Sequence, residues 1–345
     1  IGVSLLSEYT SNGDWRETGT AFGSLKGFSY AFDAVYQNLN GEQPNGQMES
    51  RQFALTLKQR VTASDEAYFQ IGTYHNRAGD VANHYDPSQA QVGFQIHERQ
   101  EPTLYAGWHH EWSPGSHTLF LVARLEDSLS FQDPNANAIF LRQTGGTTVE
   151  VQSPPAGPPV GLNFASEFTL YSAELQHIWE TERHSLVVGG RWQQGDVAAR
   201  SDLTRVFPLT SDGVSSSVER GNAYGYYTLK LLESLSLVGG VSYDHLEFPQ
   251  NTDLPPLTAG EASRDLVSPK AALLFAPWER GLFRASYTKS LGGLYFDNSV
   301  RLEPSQVGGF NQAFRSLIPE SVAGLVPGTE FETAGVAFDQ SLPSG

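Results

Sequence analysis

The densest group of titratable side chains in the sequence is His109-His110-Glu111, which are residue types from which metal sites are built. In a β-strand, however, neighbouring side chains point to opposite faces, so His109 and His110 cannot bind one ion together. No Gly-x-Ser-x-Gly, P-loop or His-Glu-x-x-His motif occurs in the 345 residues. The sequence therefore predicts no catalytic residue, no metal ligand set and no cofactor.

A lipolytic enzyme built on a membrane barrel would need a serine and a histidine together at the barrel rim. Ser185 lies beside His184, but adjacent residues of a strand again face opposite ways. An outer-membrane phospholipase therefore remains an alternative, but the sequence offers no serine and histidine that could act together as its nucleophile and base.

A second set of candidate residues lies between positions 291 and 328, in a stretch too apolar for an ordinary solvated loop. Either this segment folds inward, constricts an interior and contacts a ligand, or it packs on neighbouring loops and caps them. The candidate ligand contacts are Phe296, Phe310, Phe314 and Arg315.

The elements that would position these residues are strands joined by short polar turns that alternate with long, irregular loops. Strands of about ten residues with period-two alternation flank each turn, the length that a tilted strand needs to cross a bilayer. The longest loops fall near residues 131–165 and 291–328, and the first of them has room for a small hairpin of Ala138–Gln143 with Thr147–Gln152. The six predicted turns are Ser24–Gly27, Thr62–Glu66, Ser113–Ser116, Glu180–His184, Leu232–Ser234 and Pro277–Arg280.

One face of these strands is apolar and the other carries charges. After the turn at Ser113–Ser116, for example, Leu121 and Ala123 are assigned to the apolar face and Arg124 and Glu126 to the polar face. In a membrane barrel the polar face lines a wet lumen, whereas in a soluble sandwich it meets solvent. Strand length and Trp and Tyr near strand ends favour the membrane barrel. The predicted lumen-facing charges are Lys58, Arg60, Arg124, Glu126, Glu174, Arg191, Lys230, Asp244, Lys270 and Arg284.

Composition narrows the possible partners. The net charge of −16 disfavours nucleic acid, whose phosphates require a basic surface. Acidic loops suit divalent cations or a lipopolysaccharide-rich exterior, although an acidic surface also simply aids solubility. The sequence has no cysteine, which excludes disulfides and thiolate metal sites. The sequence contains no run of 18 apolar residues, so it predicts no membrane-spanning helix.

The two ends of the sequence suggest part of a longer protein. Ile1 is not an initiator methionine and no signal-peptide pattern follows it. The last residues, 340–345, resemble the start of another tight turn. We therefore expect a signal peptide, an N-terminal domain or closing strands to lie outside residues 1–345.

Two stretches carry a family resemblance. The segment DLVSPKAALLFAPWERGLFRASYTKSLGG, residues 265–293, resembles a strand–turn–strand unit in the barrels of TonB-dependent outer-membrane receptors. The stretch LEPSQV at residues 302–307 and the strand around Phe331–Gly335 resemble a Leu-x-Pro-Glu element and a Glu-x-Gly strand of that family. Ser305 stands where the family usually has Glu, and residues 308–328 separate the two parts.

The alternation itself predicts an all-β fold of about 13 or 14 strands, arranged as a transmembrane antiparallel up-and-down barrel. The resemblance implies that they are part of a probable 22, with short periplasmic turns, long extracellular loops and a plug domain outside residues 1–345. Residues 1–345 would be part of a single outer-membrane barrel domain that takes up a scarce or bulky solute of siderophore, cobalamin or oligosaccharide type. Its partners would be outer-membrane lipid, lipopolysaccharide and an inner-membrane energising complex reached through a plug. A passive or export porin fused to helical repeats and a soluble β-rich binding domain remain alternatives.

Overall fold

The protein is one long antiparallel sheet, as a computed structural model describes it for residues 1–82, 84, 86–136, 140–145, 148–152, 160–204, 210–252, 257–292, 301–312 and 328–342. Fourteen strands follow one another in chain order, which confirms the predicted up-and-down arrangement. The strands of this sheet are β1 Gly2–Tyr9, β2 Trp15–Leu25, β3 Phe28–Leu39, β4 Met48–Arg60, β5 Asp65–Ala78, β6 Gln95–Ser113, β7 Ser116–Ala136, β10 Val160–Glu180, β11 His184–Thr204, β12 Thr210–Leu232, β13 Leu235–Asn251, β14 Thr258–Trp278, β15 Gly281–Leu291 and β18 Glu330–Gln340.

Four short strands form two further hairpins. The hairpin of β8 Phe140–Gly145 and β9 Thr148–Gln152 confirms the small hairpin predicted inside the first long loop. The other hairpin joins β16 Gln306–Val307 to β17 Phe310–Asn311. Within the described residues a single 3-10 turn, Pro87–Gln89, is the only helical element, and no helix there is long and apolar enough to cross a membrane.

All six predicted turns join consecutive strands of the main sheet, and they lie at one end of it, which we call the short-turn end. The two-residue turn between β2 and β3 has positive φ at both of its residues, Lys26 at 47° and Gly27 at 86°. Two consecutive residues with positive φ match the right-handed twist of a two-residue hairpin. The opposite, long-loop end carries the longer connections, although β7 and β10 extend well into the first predicted loop.

The two faces of the sheet differ sharply in exposure. Glu174 is 2% exposed and its neighbour Leu175 is 55% exposed, although Leu175 is the apolar residue of the two. We call the face of Glu174 the inner face and that of Leu175 the outer face. Directly opposed residues of antiparallel strands share a face, so the register carries this assignment from strand to strand: Glu174 opposes Arg191, Arg191 opposes Asn222, and Asn222 opposes Asp244.

The outer face has a band of apolar side chains that ends sharply on the side of the long-loop end. Along β11 it presents Leu186, Val188 and Trp192, and then changes to Gln194 and Asp196 toward the long-loop end. A soluble sandwich buries its apolar face and exposes its polar one, whereas a membrane barrel does the reverse. Exposed aromatic residues and buried charges therefore agree with the barrel and not with the sandwich.

For one strand, β7, the alternation predicts the two faces the wrong way round. On β7 the inner residues are Leu121 and Ala123, which are 6% and 8% exposed, and Leu121 opposes Glu174. Arg124 and Glu126 consequently lie on the outer face, where they form an ion pair. The error has a physical reason: the run Leu119–Ala123 is apolar on both faces, so its alternation does not identify the inner one.

Candidate functional site

The segment Arg301–Gln312 lies on the inner face of the sheet, and the Glu174 carboxylate of β10 is its main point of attachment. The backbone N–H of Leu302 donates to Glu174 Oε2 at 2.8 Å, and that of Glu303 donates to Oε1 at 2.9 Å. The hydroxyl of Tyr224 on β12 also donates to Oε1, at 2.8 Å. Three donors on one buried carboxyl group satisfy a polar side chain that would otherwise be costly to bury.

A second set of hydrogen bonds ties the segment to β12. The hydroxyl of Tyr226 donates to Glu303 Oε1 at 2.7 Å, and the Arg301 guanidinium contacts Glu303 Oε2 at 2.5 Å. Gln312, which is fully buried, donates from Nε2 to the Tyr226 hydroxyl at 2.9 Å and to the carbonyl of Pro304 at 2.6 Å. The two ends of the segment therefore meet at one tyrosine, and the segment forms a closed loop against the wall.

Apolar packing complements these polar contacts. Val307 is 1% exposed and packs in a cluster with Tyr224, Tyr226 and Ala272. Burial of one aliphatic side chain contributes about 1.5–3 kcal/mol. The segment is therefore bound to the inner face by a combination of buried hydrogen bonds and a hydrophobic anchor.

The inner face beside the segment carries a buried network of charges. Arg220 Nη2 lies 2.7 Å from Asp244 Oδ1, with both side chains under 5% exposed, and Asn222 donates to the same oxygen at 2.9 Å. Arg220 also donates to the carbonyl of Leu291 at 3.2 Å, and Lys270 donates to the carbonyl of Lys289 at 2.8 Å. Positive and negative groups alternate along this wall, so the inner surface is polar and closely balanced in charge.

One of the four predicted ligand contacts lies on this segment. Phe310 is half-buried, and the guanidinium carbon of Arg284 lies 5.4 Å from its ring centroid. Arg284 also donates to the carbonyl of Gly309 at 3.2 Å and pairs with Asp339 at 2.7 Å. Phe296, Phe314 and Arg315 lie outside the described residues, and their role as ligand contacts stays a prediction.

The histidine pair is divided between the two faces, as the strand geometry requires. His109 Nε2 lies 3.1 Å from His117 Nδ1, whereas His110 Nδ1 lies 2.7 Å from Asp65 Oδ1. In the part of the chain that the structure describes, no group of three His, Cys, Asp or Glu side chains is placed to hold a metal ion.

Sequence reasoning placed Glu174 on the inner face but missed its contact with residues 302 and 303, which lie almost 130 positions away. It also missed Arg301, Glu303 and Gln312. The available signal was a pair of charged residues on either side of Leu302, inside a stretch chosen for its apolar character. Such a pattern indicates burial on a polar surface, but it does not identify the partner strand.

A family model described as TonB dependent receptor-like, beta-barrel, matches residues 3–322. A comparison with curated proteins gives no match.

Among solved structures, similar folds are the copper transporter OprC, the ferric yersiniabactin uptake receptor FyuA from Yersinia pestis and BauA, the ferric preacinetobactin receptor from Acinetobacter baumannii. Each is 12% identical to this chain, with TM-scores of 0.63, 0.62 and 0.62. The matches cover 84%, 84% and 98% of this chain and 46%, 46% and 52% of those proteins. The chain thus spans about half the length of these structures, and at this identity the likeness concerns the fold.

The family match extends over most of the chain and agrees with the inverted faces of the sheet and with its strand order. The chain belongs to the TonB-dependent receptor family, whose β-barrel model it matches.

Proposed function

We propose that residues 1–345 are part of a single outer-membrane barrel domain that takes up a scarce or bulky solute by binding and gating rather than by breaking bonds. The short-turn end then faces the periplasm and the long-loop end faces the exterior. The solute would be of siderophore, cobalamin or oligosaccharide type.

Family membership and the outer face support this location. Members of the family are outer-membrane barrels, and the apolar band with Trp and Tyr at its limits suits a lipid environment. Several similar structures are named as transporters or uptake receptors, for copper or for ferric chelates. These names describe those proteins, and for this chain they support a transport role without naming its solute.

The observation that carries the proposal is the attachment of Arg301–Gln312 to the inner face. A segment that folds onto the wall of a barrel narrows the interior, and a solute must pass it or displace it. Phe310 lies on this segment, and the other predicted ligand contacts, Phe296, Phe314 and Arg315, flank it in sequence. Aromatic and cationic side chains at a constriction are the groups that bind large anionic or aromatic solutes.

The proposal also includes partners. Outer-membrane lipid would contact the apolar band, and an inner-membrane complex acting through a plug would supply the energy for uptake. The alternative of a passive or export porin predicts transport that continues when the proton-motive force is collapsed. A protonophore therefore separates the two: uptake that stops supports the energised receptor, and uptake that persists supports the porin.

The experiment that tests the constriction uses Glu174→Gln in the intact protein. The substituted amide places an NH2 group against the N–H of Leu302 or Glu303, so two hydrogen bonds to the carboxylate cannot both form. We expect the segment to detach and the outer membrane to become permeable to large hydrophilic antibiotics. Glu167→Gln is the matched control, since Glu167 lies on the same strand but on the outer face, and it should leave permeability unchanged. Unchanged permeability in both variants would contradict the constriction.

A further inference from the structure

A cleft of about 300 Å³ lies on the outer face near the long-loop end, where β6, β7, β10 and β11 run side by side. The register places two rows of residues across it: Gln95, Gln132, Asn163 and Asp202 in one, and His97, Ser130, Ala165 and Arg200 in the other. Phe131 and Phe164, which lie between the two rows in sequence, complete the lining. Ser130 and Ala165 are the small residues of the second row, and longer side chains surround them.

These residues belong to the outer face and not to the interior. Asn163 and Ala165 are exposed, whereas Phe164 between them is 5% exposed and packs on the inner side with Ala199 and Val214. The cleft therefore opens away from the interior through which a solute would pass.

The distance from the apolar band gives the position of the cleft along the barrel axis. The outer face of β11 is apolar as far as Trp192 and polar beyond it, and Arg200 lies eight residues farther along the strand. Eight residues span about 26 Å of strand, or about 20 Å along the barrel axis at an ordinary strand tilt. In a bilayer the cleft would therefore lie above the hydrocarbon and face the layer of lipid head groups and sugars.

The chemistry of the lining matches sugars better than phosphates. The side-chain amides of Gln95, Gln132 and Asn163 make no hydrogen bond to any other described side chain or backbone group, and each amide can both donate and accept, as sugar hydroxyls do. The charge of Arg200 is balanced by Asp202, whose Oδ2 lies 3.0 Å from Arg200 Nε. A phosphate is bound best by guanidinium groups that are not already paired with a carboxylate, and the other basic side chain of the lining is the imidazole of His97.

We infer that this cleft binds the core oligosaccharide of the lipopolysaccharide molecules that surround the barrel. The inference rests on the proposed function, because lipopolysaccharide surrounds the protein only in the outer membrane. It assigns to the outer wall a carbohydrate site that is separate from the solute path on the inner face.

The test measures binding of three probes to the intact protein in detergent: lipopolysaccharide that carries core sugars, lipid A without them, and core oligosaccharide released from its lipid. We expect the native protein to bind core-bearing lipopolysaccharide about tenfold more tightly than lipid A, as one or two added hydrogen bonds would give. The released oligosaccharide should bind measurably by itself.

Two kinds of variant then locate the site. Asn163→Ala combined with Gln132→Ala removes the amides, and Ala165→Trp fills the cleft; both should abolish the preference for core sugars. Gln194→Ala lies on the same face, between the apolar band and the cleft, and it should keep the preference for core sugars. Heat-modifiable gel migration checks that each variant is folded, so a variant that keeps both its fold and its preference overturns the inference.

Equal affinity of the native protein for lipopolysaccharide and lipid A would also overturn it. Solute uptake by the same variants separates this inference from the proposed function. Variants that lose the sugar preference should still take up solute, and a protein that keeps the sugar preference but takes up no solute would contradict the proposed function alone.

Discussion

Two regions of the sheet have the same alternation of apolar and polar residues, but the charged side chains of their inner faces are buried to different extents. The strands β2–β5 have 11–14 residues, about what a bilayer requires, whereas β10–β14 have 17–23 and continue beyond the apolar band. Buried charges of the inner face, such as Glu174, Arg191 and Asp244, lie on the long strands. On the short strands, Lys58 and Glu66 face inward but remain 53% and 24% exposed.

The more deeply buried region is the one against which the segment Arg301–Gln312 and the end of β15 lie, since Glu174 accepts from the segment and Arg220 donates to the carbonyl of Leu291. Two ion pairs make the comparison direct, since Arg220–Asp244 and Lys58–Glu66 have the same N–O distance of 2.7 Å. Equal geometry at unequal burial predicts that burial, and not the N–O distance, decides how much stability is lost when one partner is removed. The following changes test that conclusion.

The largest expected effect is that of Asp244→Asn. The change removes the carboxylate that balances the buried Arg220 guanidinium, and such a loss destabilises a protein by about 3–5 kcal/mol. The measurement is urea unfolding in lipid vesicles, followed by heat-modifiable gel migration. Asp265→Asn is the control, since the Asp265 side chain is 60% exposed, and it should have little effect. A small loss for Asp244→Asn would mean that water reaches the inner wall.

A smaller effect on stability is expected for Asp80, which lies in the loop that follows the short strand β5. Burial raises the pKa of Asp80, but hydrogen bonds from the Gln91 N–H, the His84 ring and the Ala82 N–H outweigh it and lower the pKa below its usual value. Because this pKa is lowered, the stabilisation is complete above the unfolded pKa of about 3.9 and is lost as pH falls through the folded pKa.

We therefore expect amide protection in residues 79–82 and 86–94 to be the same at neutral and mildly acidic pH and to fall in strongly acidic solution, as hydrogen exchange would measure. Asp80→Asn should reduce this protection at neutral pH and remove its pH dependence. A loop whose protection already declines near pH 6 would contradict the role assigned to Asp80.

The smallest effect is expected for Glu66→Gln. The ion pair with Lys58 is solvated, and exposed pairs contribute about 0–1 kcal/mol. The same unfolding assay should show a loss well below that of Asp244→Asn. Similar losses for the two variants would remove the distinction between the covered and the uncovered parts of the sheet.

Most of the fold could be predicted from the sequence because turns and period-two alternation are local properties. The six turns and the strand at Gly2–Tyr9 follow from them. The faces of β7 could not be assigned, since Leu119–Ala123 is apolar throughout and the inner face there is set by the neighbouring Glu174. The attachment of the segment at 301–312 was out of reach for a similar reason, because it joins residues that are distant in sequence.

The central claim is that the outer face meets lipid while the inner face holds the charges. Because the chain has no cysteine, single cysteines can be introduced along β11 from residue 185 to 203 and labelled with a nitroxide. Electron paramagnetic resonance then measures contact with oxygen, which concentrates in lipid, and with a polar nickel chelate. We expect oxygen contact at positions 186, 188, 190 and 192, nickel contact at 194, 196 and 198, and little of either at the odd positions between them. Nickel contact at 186–192 equal to that at 194–198 would contradict the claim.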